Sequence, residues 1–386
     1  MIQNIFKLSF YKILMPSMSL KHKLKLFSHY ITEKRIKEIY NMFWVYAFWW
    51  NHKLSAFLLN KFLPKLGIDL FPLFLEVEHT TVCSFKCKIC EHTYWKEPPK
   101  NMSFEQFKHV YDQFGRLKWI GLTGIGSSYL NPDFHKIVRY CKSKGTIVEL
   151  MDHFANLKGE TQIRELLEIS PDFQFISIYG AAKKTSDSIC IGSDFNTVTK
   201  NVKEFVRLKK EMKKKFPILN FHYIVTKKSK DEVFGFLDFV HSLDTEVGEI
   251  LITPMLHDFK EAKGYSVKLD SEYINKIREK AKKYDIPTTI NLTALQEEKG
   301  LSKKPSFNFC KEYIMPFVFV TGHVSLCCGL NEANQREMLK QNSPGNLFEK
   351  NIREIWYSPK YKRIRKMIRQ GKCPKECSMC PAYEEQ

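Results

Sequence analysis

From residue 71 onward the chain alternates short apolar runs with longer stretches of helical period, and this alternation constrains the fold more than any other feature. The apolar runs cover residues 73–77, 119–122, 146–151, 173–178, 221–225 and 250–253. Between them, helix candidates cover 103–116, 133–144, 161–169, 195–215, 230–243 and 271–284. Ser103 and Gln106 form a capping box at the start of the first helix. Six strand-then-helix units in series require parallel strands joined by right-handed crossovers, because a parallel pair needs a covering segment between its strands. A closed eight-unit barrel takes about 250 residues, and this stretch is shorter. The expected core is therefore an open barrel of six units spanning residues 71–295.

The fold class expected for the whole chain is α/β: a partial (β/α)6 TIM-like barrel with an N-terminal helical extension (residues 1–70) and a small cysteine-rich C-terminal domain (305–386). The Lys/Glu/Pro-rich stretch Gln296 to Pro305 reads as the linker between the last two. Eleven cysteines fall mostly in two groups rather than spreading along the chain as staples, which indicates metal ligation in a reducing, cytoplasmic compartment.

A formal charge of +19 concentrates anionic partners. No nucleic-acid-binding motif accompanies it, and most basic residues are scattered, so nucleic acid is not expected. The first 65 residues are different, with eleven Lys/Arg against Glu33 and Glu38. Within them Met42-Phe43-Trp44-Val45-Tyr46-Ala47-Phe48-Trp49-Trp50 lies between Lys37 and Lys53. Basic and amphipathic aromatic residues together suit a membrane interface, whereas crossing a bilayer takes about 20 apolar residues. Lys7 and Lys12 interrupt the first apolar stretch, which also lacks a small-residue cleavage site, so it does not read as a signal peptide. Peripheral membrane contact and a helical cap packed on the main domain are the two readings of this segment.

Directly after the first strand, Cys83-Ser84-Phe85-Lys86-Cys87-Lys88-Ile89-Cys90 puts three thiols in an eight-residue loop. Thiolates are the natural ligands of iron-sulfur clusters, and three on a four-iron cluster leave one iron open. Zinc is the competing reading, but structural zinc normally takes four protein ligands. Cys-x-x-x-Cys-x-x-Cys, with apolar Ile89 before the last thiol, at the end of the first strand of a βα-repeat domain, resembles the radical S-adenosylmethionine (radical SAM) superfamily. That resemblance implies a [4Fe-4S] cluster on Cys83, Cys87 and Cys90. Its open iron would chelate S-adenosylmethionine, and an electron from an external reductant would cleave the cofactor to a 5′-deoxyadenosyl radical.

The resemblance extends over most of residues 71–386. The stretch 119–127 falls where the family has a glycine-rich cofactor loop, implying cofactor contacts at Gly124, Gly126 and Ser127, with Ile89 and Ser177 contributing. Two positions depart from the pattern: Ser127 and Tyr179 stand where acidic residues are common, and no arginine accompanies Cys190-Ile191-Gly192. Cys141 and Cys190 read as buried structural thiols.

Toward the C-terminus come Cys310, an alternating hairpin candidate from Phe317 to Cys328, and Cys373-x-x-x-Cys377-x-x-Cys380. With Gly345-Asn346-Leu347-Phe348 and Ile355-Trp356, this resembles the SPASM and twitch extensions of radical SAM proteins. The resemblance implies an auxiliary [4Fe-4S] cluster on Cys310, Cys327, Cys377 and Cys380, with Cys328 the alternative to Cys327 and Cys373 a spare or exchanged ligand. Zinc satisfies the same donor set. His79, Tyr94, Trp95, Asp152 and His153 lie near strand ends where a barrel places its site, and each reads as packing or support rather than as a general base.

The sequence thus points to a radical SAM enzyme acting on a peptide, lipid precursor or small metabolite. The rival is an iron-sulfur or zinc scaffold, weakened in catalysis through Ser127 and Tyr179 and serving binding or electron transfer.

Overall fold

The computed structural model of this chain describes residues 18–254, 261–290, 306–327, 336–378, 380 and 383. Its centre is a sheet of nine strands: β1 (Phe74–Glu78), β2 (Trp119–Thr123), β3 (Ile147–Asp152), β4 (Phe173–Ile178), β5 (Ile218–Val225), β6 (Val247–Pro254), β7 (Thr288–Ile290), β8 (Phe317–Val318) and β9 (Val324–Ser325). The spatial order is β9-β8-β1-β2-β3-β4-β5-β6-β7. β1 to β7 are parallel to their neighbours, β8 is parallel to β1, and only β9 runs antiparallel. This is the expected partial barrel with one further strand, β7, whose three residues carry no readable period. The C-terminal hairpin β8–β9 extends the same sheet along β1.

The six expected helices appear as Phe104–Gln113, Phe134–Ser143, Gly159–Ile169, Phe195–Glu211, Val233–Ser242 and Ser271–Lys283, the first with both hydrogen bonds of the Ser103/Gln106 capping box. Strand alternation sends Leu75, Val77, Ile120, Leu122, Val148 and Leu150 outward, into one core with Phe107, Val110, Ile137, Val138, Ile163 and Leu166 from these helices. Burying a side chain of this kind stabilises by about 1.5–3 kcal/mol. The opposite face of each strand looks into the barrel lumen.

The N-terminal extension closes the end of the barrel where the strands begin. Trp49 stacks on Trp119 at 6.2 Å and meets Phe74 edge-on at 5.9 Å. Arg35 donates to the Asp172 carboxylate at 3.2 Å, Lys142 reaches Asp172 at 2.7 Å and Glu38 at 2.8 Å, and the Asn41 amide donates to the Gly145 carbonyl. Its outer surface is apolar: eleven of the twelve exposed large hydrophobic side chains among the described residues lie between Leu24 and Ile68. The aromatic segment is thus a packed cap on one side and bare on the other.

Candidate functional site

At the opposite end, where the strands finish, the loop after β1 carries Cys83, Cys87 and Cys90. Lys86–Cys87 pairs antiparallel with Cys190–Ile191, a two-stranded ribbon that holds the loop against the segment after β4. This pairing sets the Cys87 Sγ 3.0 Å from the Cys190 Sγ. Phe85, Cys87 and Cys190 form a small buried cluster, against which Cys83, Cys90, Ala155 and Tyr179 pack. Burial pushes the Cys83 thiol up to about 11 and the Cys90 thiol up to about 12. Cys87 is driven upward chiefly by its contact with Cys190, then by burial, then by the neighbouring thiols. A positively charged metal cluster reverses this logic by stabilising the thiolates, so a crowded set of thiols, Cys87 buried and Cys83 and Cys90 partly so, fits an iron-sulfur cluster as donor set.

Among the described residues no three His, Cys, Asp or Glu side chains converge tightly enough to hold a single ion. A four-iron cluster asks for something else, since each thiolate binds a different iron.

The glycine-rich loop after β2 lies against the strand that leads into the cysteines. A Cβ on Gly126 would come within 2.5 Å of the Thr80 carbonyl, and Gly124, at φ +129°, would collide with the Glu78 side chain. The Ser127 N–H donates to the Val82 carbonyl at 2.8 Å, next to Cys83. These glycines are needed for that close approach. Ser177 faces the lumen on β4, in register with His222, and Ile89 lies half-buried between Cys87 and Cys90.

Ser127 has no charge of its own but holds a carboxylate. Its hydroxyl donates to Asp152 at 3.1 Å, the Ser128 and His153 backbone N–H groups also donate to Asp152, and Asn156 donates to the Ser127 oxygen. Burial pushes the Asp152 carboxyl up to about 7, against the pull of these donors. Tyr179 packs beside the thiols and stacks on His153 at 5.7 Å. His79 is buried, pushed down to about 4, and sits within hydrogen-bonding distance of Ser128 and Asn131. His153 is likewise pushed down to about 4 by burial. Tyr94 donates to the Lys88 carbonyl at 3.2 Å.

The rim of the barrel is tied to the C-terminal region by an ion pair that the sequence did not reveal. Arg336, fully buried, forks onto both Glu78 carboxylate oxygens at 2.7 and 2.8 Å and lies between the Trp95 and Phe319 rings. Burial raises the Glu78 carboxyl more than Arg336 lowers it. Here Trp95 is a wall of the Arg336 pocket.

In the C-terminal region Gly322 makes the hairpin turn at φ +83°, and Asn346 clasps it, donating to the Thr321 carbonyl at 3.1 Å. Trp356 is fully buried. The Cys377 thiol is pushed up by burial and then by Cys327, Cys310, Cys380 and Cys373, so five sulfurs of this region share one neighbourhood. Cys310 and Cys377 are buried and Cys327, Cys373 and Cys380 partly so. Cys328 lies outside the described residues. Cys141 is buried in the outer core and Cys190 is fully buried, both as read, and the Cys190 thiol also touches that of Cys87.

Comparison with known proteins accords with both halves. Residues 310–381 match the SPASM family, described as an iron-sulfur cluster-binding domain. The tungsten-containing aldehyde ferredoxin oxidoreductase cofactor-modifying protein of Pyrococcus furiosus is 22% identical over 324 residues, 80% of this chain and 86% of the relative. Among solved structures, SuiB of Streptococcus suis bound to its precursor peptide SuiA superposes with a TM-score of 0.62 at 16% identity, over 84% of this chain and 77% of SuiB. SuiB bound to S-adenosylmethionine gives 0.61 at 17% identity, over 84% and 78%. The overall fold is therefore one that this chain has in common with SuiB.

Proposed function

We propose that this chain, a radical SAM superfamily protein with a C-terminal SPASM domain, is an enzyme that uses S-adenosylmethionine at a [4Fe-4S] cluster to modify an organic substrate. The supporting observation is the joint placement of Cys83, Cys87 and Cys90 with the Gly124–Ser127 loop and Asp152 at one end of the barrel. The cluster, when bound, supplies one-electron reduction of the sulfonium and hence a 5′-deoxyadenosyl radical. The chain's own part is to hold and to exclude. Cys83, Cys87 and Cys90 present three thiolates, and Phe85, Ala155 and Tyr179 pack against them as an apolar wall. Asp152 supplies, one strand along, the carboxylate that position 127 lacks, poised by Ser127 and two backbone donors to receive the cofactor's ammonium group. Cys310, Cys327, Cys377 and Cys380 hold an auxiliary cluster, with Cys373 beside them.

The test is anaerobic reconstitution with iron and sulfide, followed by reduction in the presence of S-adenosylmethionine. Accumulation of 5′-deoxyadenosine is expected; zinc at the first site, or no product, sinks the proposal. The same experiment rules on the scaffold reading, which Ser127 and Tyr179 favour and Asp152 opposes.

A second reading concerns location. No helix of the described residues is long and apolar enough to cross a membrane. The exposed Ile36, Tyr40, Phe43 and Leu66, set among Lys37, Lys53, Lys61 and Lys65, favour docking of the closed end on an anionic lipid surface. Purified protein is expected to co-sediment with phosphatidylserine vesicles at low salt, and indifference to them removes the idea.

A further inference from the structure

The Cys190 side chain is fully buried, and its sulfur lies 3.0 Å from that of Cys87. Among the described residues its thiol has no other hydrogen-bond partner. Packing alone does not require such a contact, since a small buried thiol usually behaves as a hydrophobe.

The backbone on both sides is shaped to make it. Cys87 and Cys190 are direct register partners in the antiparallel ribbon, which puts two Cα atoms about 4.5–5.5 Å apart with both side chains on one face. The Lys88 N–H donates to the Ile189 carbonyl at 2.8 Å beside the pair, and the Ser193 N–H turns back to the Cys190 carbonyl at 3.1 Å. The Thr93 hydroxyl donates to the Cys87 carbonyl at 2.6 Å. Gly192 takes φ +89° in the turn, and a Cβ there would stand 3.4 Å from the Ser84 carbonyl, so this segment is drawn close against the cysteine loop.

The direction of the bond follows from the chemistry. With both thiols protonated either sulfur could donate. Once Cys87 is bound to iron as a thiolate it has no proton to give, so the Cys190 S–H donates and the Cys87 sulfur accepts. A thiol is a weak donor toward a neutral acceptor, but an anionic sulfur makes the bond charge-assisted. The other two loop thiols take their donors from the main chain: the Phe85 backbone favours the Cys83 thiolate and the His92 backbone the Cys90 thiolate. Of the three sulfurs, only that of Cys87 receives its donor from a side chain among the described residues, so only there can a substitution remove the donor and leave the backbone as it is. Hydrogen bonds to ligand sulfurs stabilise the extra negative charge of a reduced cluster and thereby raise its potential.

We propose that Cys190 is a positioning residue for the first cluster: its S–H donates to the Cys87 thiolate and holds the cluster's reduction potential above the value that the three ligands and their backbone donors would give alone. This rests on the reading of Cys83, Cys87 and Cys90 as ligands of a [4Fe-4S] cluster, and it gives the fourth thiol of the pocket a role other than ligation.

The test is a redox titration of reconstituted full-length protein followed by electron paramagnetic resonance, the first cluster being identified as the one whose signal S-adenosylmethionine alters. Cys190→Ala is expected to shift the midpoint of that signal to a more negative potential at unchanged iron and sulfide content. Cys190→Ser keeps a donor in place and should recover most of the shift, while also guarding against a disturbed fold in the alanine variant. A midpoint that neither variant moves reduces the contact to packing and overturns the proposal. Equal shifts in both variants would mean that volume and not the proton matters, which overturns it as well. Loss of the first cluster in Cys190→Ala would make Cys190 a ligand, again against the proposal. A parent protein that takes up no four-iron cluster on the loop overturns the enzyme reading together with this one, whereas a normal cluster indifferent to Cys190 overturns this one alone.

Discussion

The two ends of the barrel treat a buried aspartate in opposite ways. At the closed end Asp172, fully buried, meets Arg35, Lys142 and the Val148 N–H, and Lys209, also buried, donates to the Pro217 carbonyl. At the open end Glu78 is held by Arg336, but Asp152, also buried, has hydroxyl and backbone donors and no cation among the described residues, and three thiols crowd one pocket. The same residue type is matched where the fold is being held and left unmatched where it must receive something. Marginal stability tolerates few such unmatched groups, so their concentration at one end is the physical signature of a site.

Substitutions that break this contrast should separate cleanly. Cys87→Ala is expected to have the largest effect, reducing 5′-deoxyadenosine to background in the product assay while the protein stays folded. Cys377→Ala should retain part of that product and lose about four irons per chain by metal analysis. At the other end Arg35→Met strips Asp172 of one cation and should lower the stability read from denaturant unfolding by about 3 kcal/mol. Product per bound cluster should be unchanged there, because Arg35 touches nothing at the open end.

How much of this was legible beforehand follows from how each feature is encoded. The strand-helix units announce themselves over ten or more residues each and the cysteine loop over eight, and all six expected strands and helices stand where periodicity placed them, with β5 and β6 starting three residues earlier than their apolar runs. β7 has three residues, too few for a period to register, and the β8–β9 hairpin was legible as an alternation but not as an extension of the barrel sheet along β1. Asp152 was visible only as a strand-end acid: its bond to Ser127 joins residues 25 apart, and no local pattern carries that contact. The buried strand glutamates Glu76, Glu149 and Glu249 did leave a trace. A glutamate in the middle of an otherwise apolar strand, as at positions 76, 149 and 249, is a polar residue where burial is expected, and three in one barrel is a signal that strand-by-strand reading passes over.

The unmatched state of Asp152 has a pH signature. Its folded value of about 7 lies above the ordinary carboxylate range, so the fold favours the protonated form. The stability it lends is fully present below about pH 4 and is lost as pH rises through about 7. Asp152→Asn removes that dependence. Relative to the parent protein, the variant should gain on the order of 2 kcal/mol in apo-protein stability between pH 5 and pH 8 by denaturant unfolding. A parallel pH response in the two proteins would mean that Asp152 is already matched by a partner, and the contrast with Asp172 would fail.

The smallest effect is expected at Ser127, and it sharpens where the cofactor's ammonium is received. If the charge at this end resides on Asp152 and Ser127 only steadies it, Ser127→Ala removes one hydrogen bond while Asp152 keeps the Ser128 and His153 N–H groups. A single neutral donor is worth about 1 kcal/mol, so the affinity of reconstituted protein for S-adenosylmethionine should fall only a few-fold. Asp152→Asn deletes the charge itself and should cost at least about tenfold. Were the order reversed, with the serine variant the weaker binder, position 127 would be acting on the cofactor directly and the carboxylate on the neighbouring strand would be a structural prop.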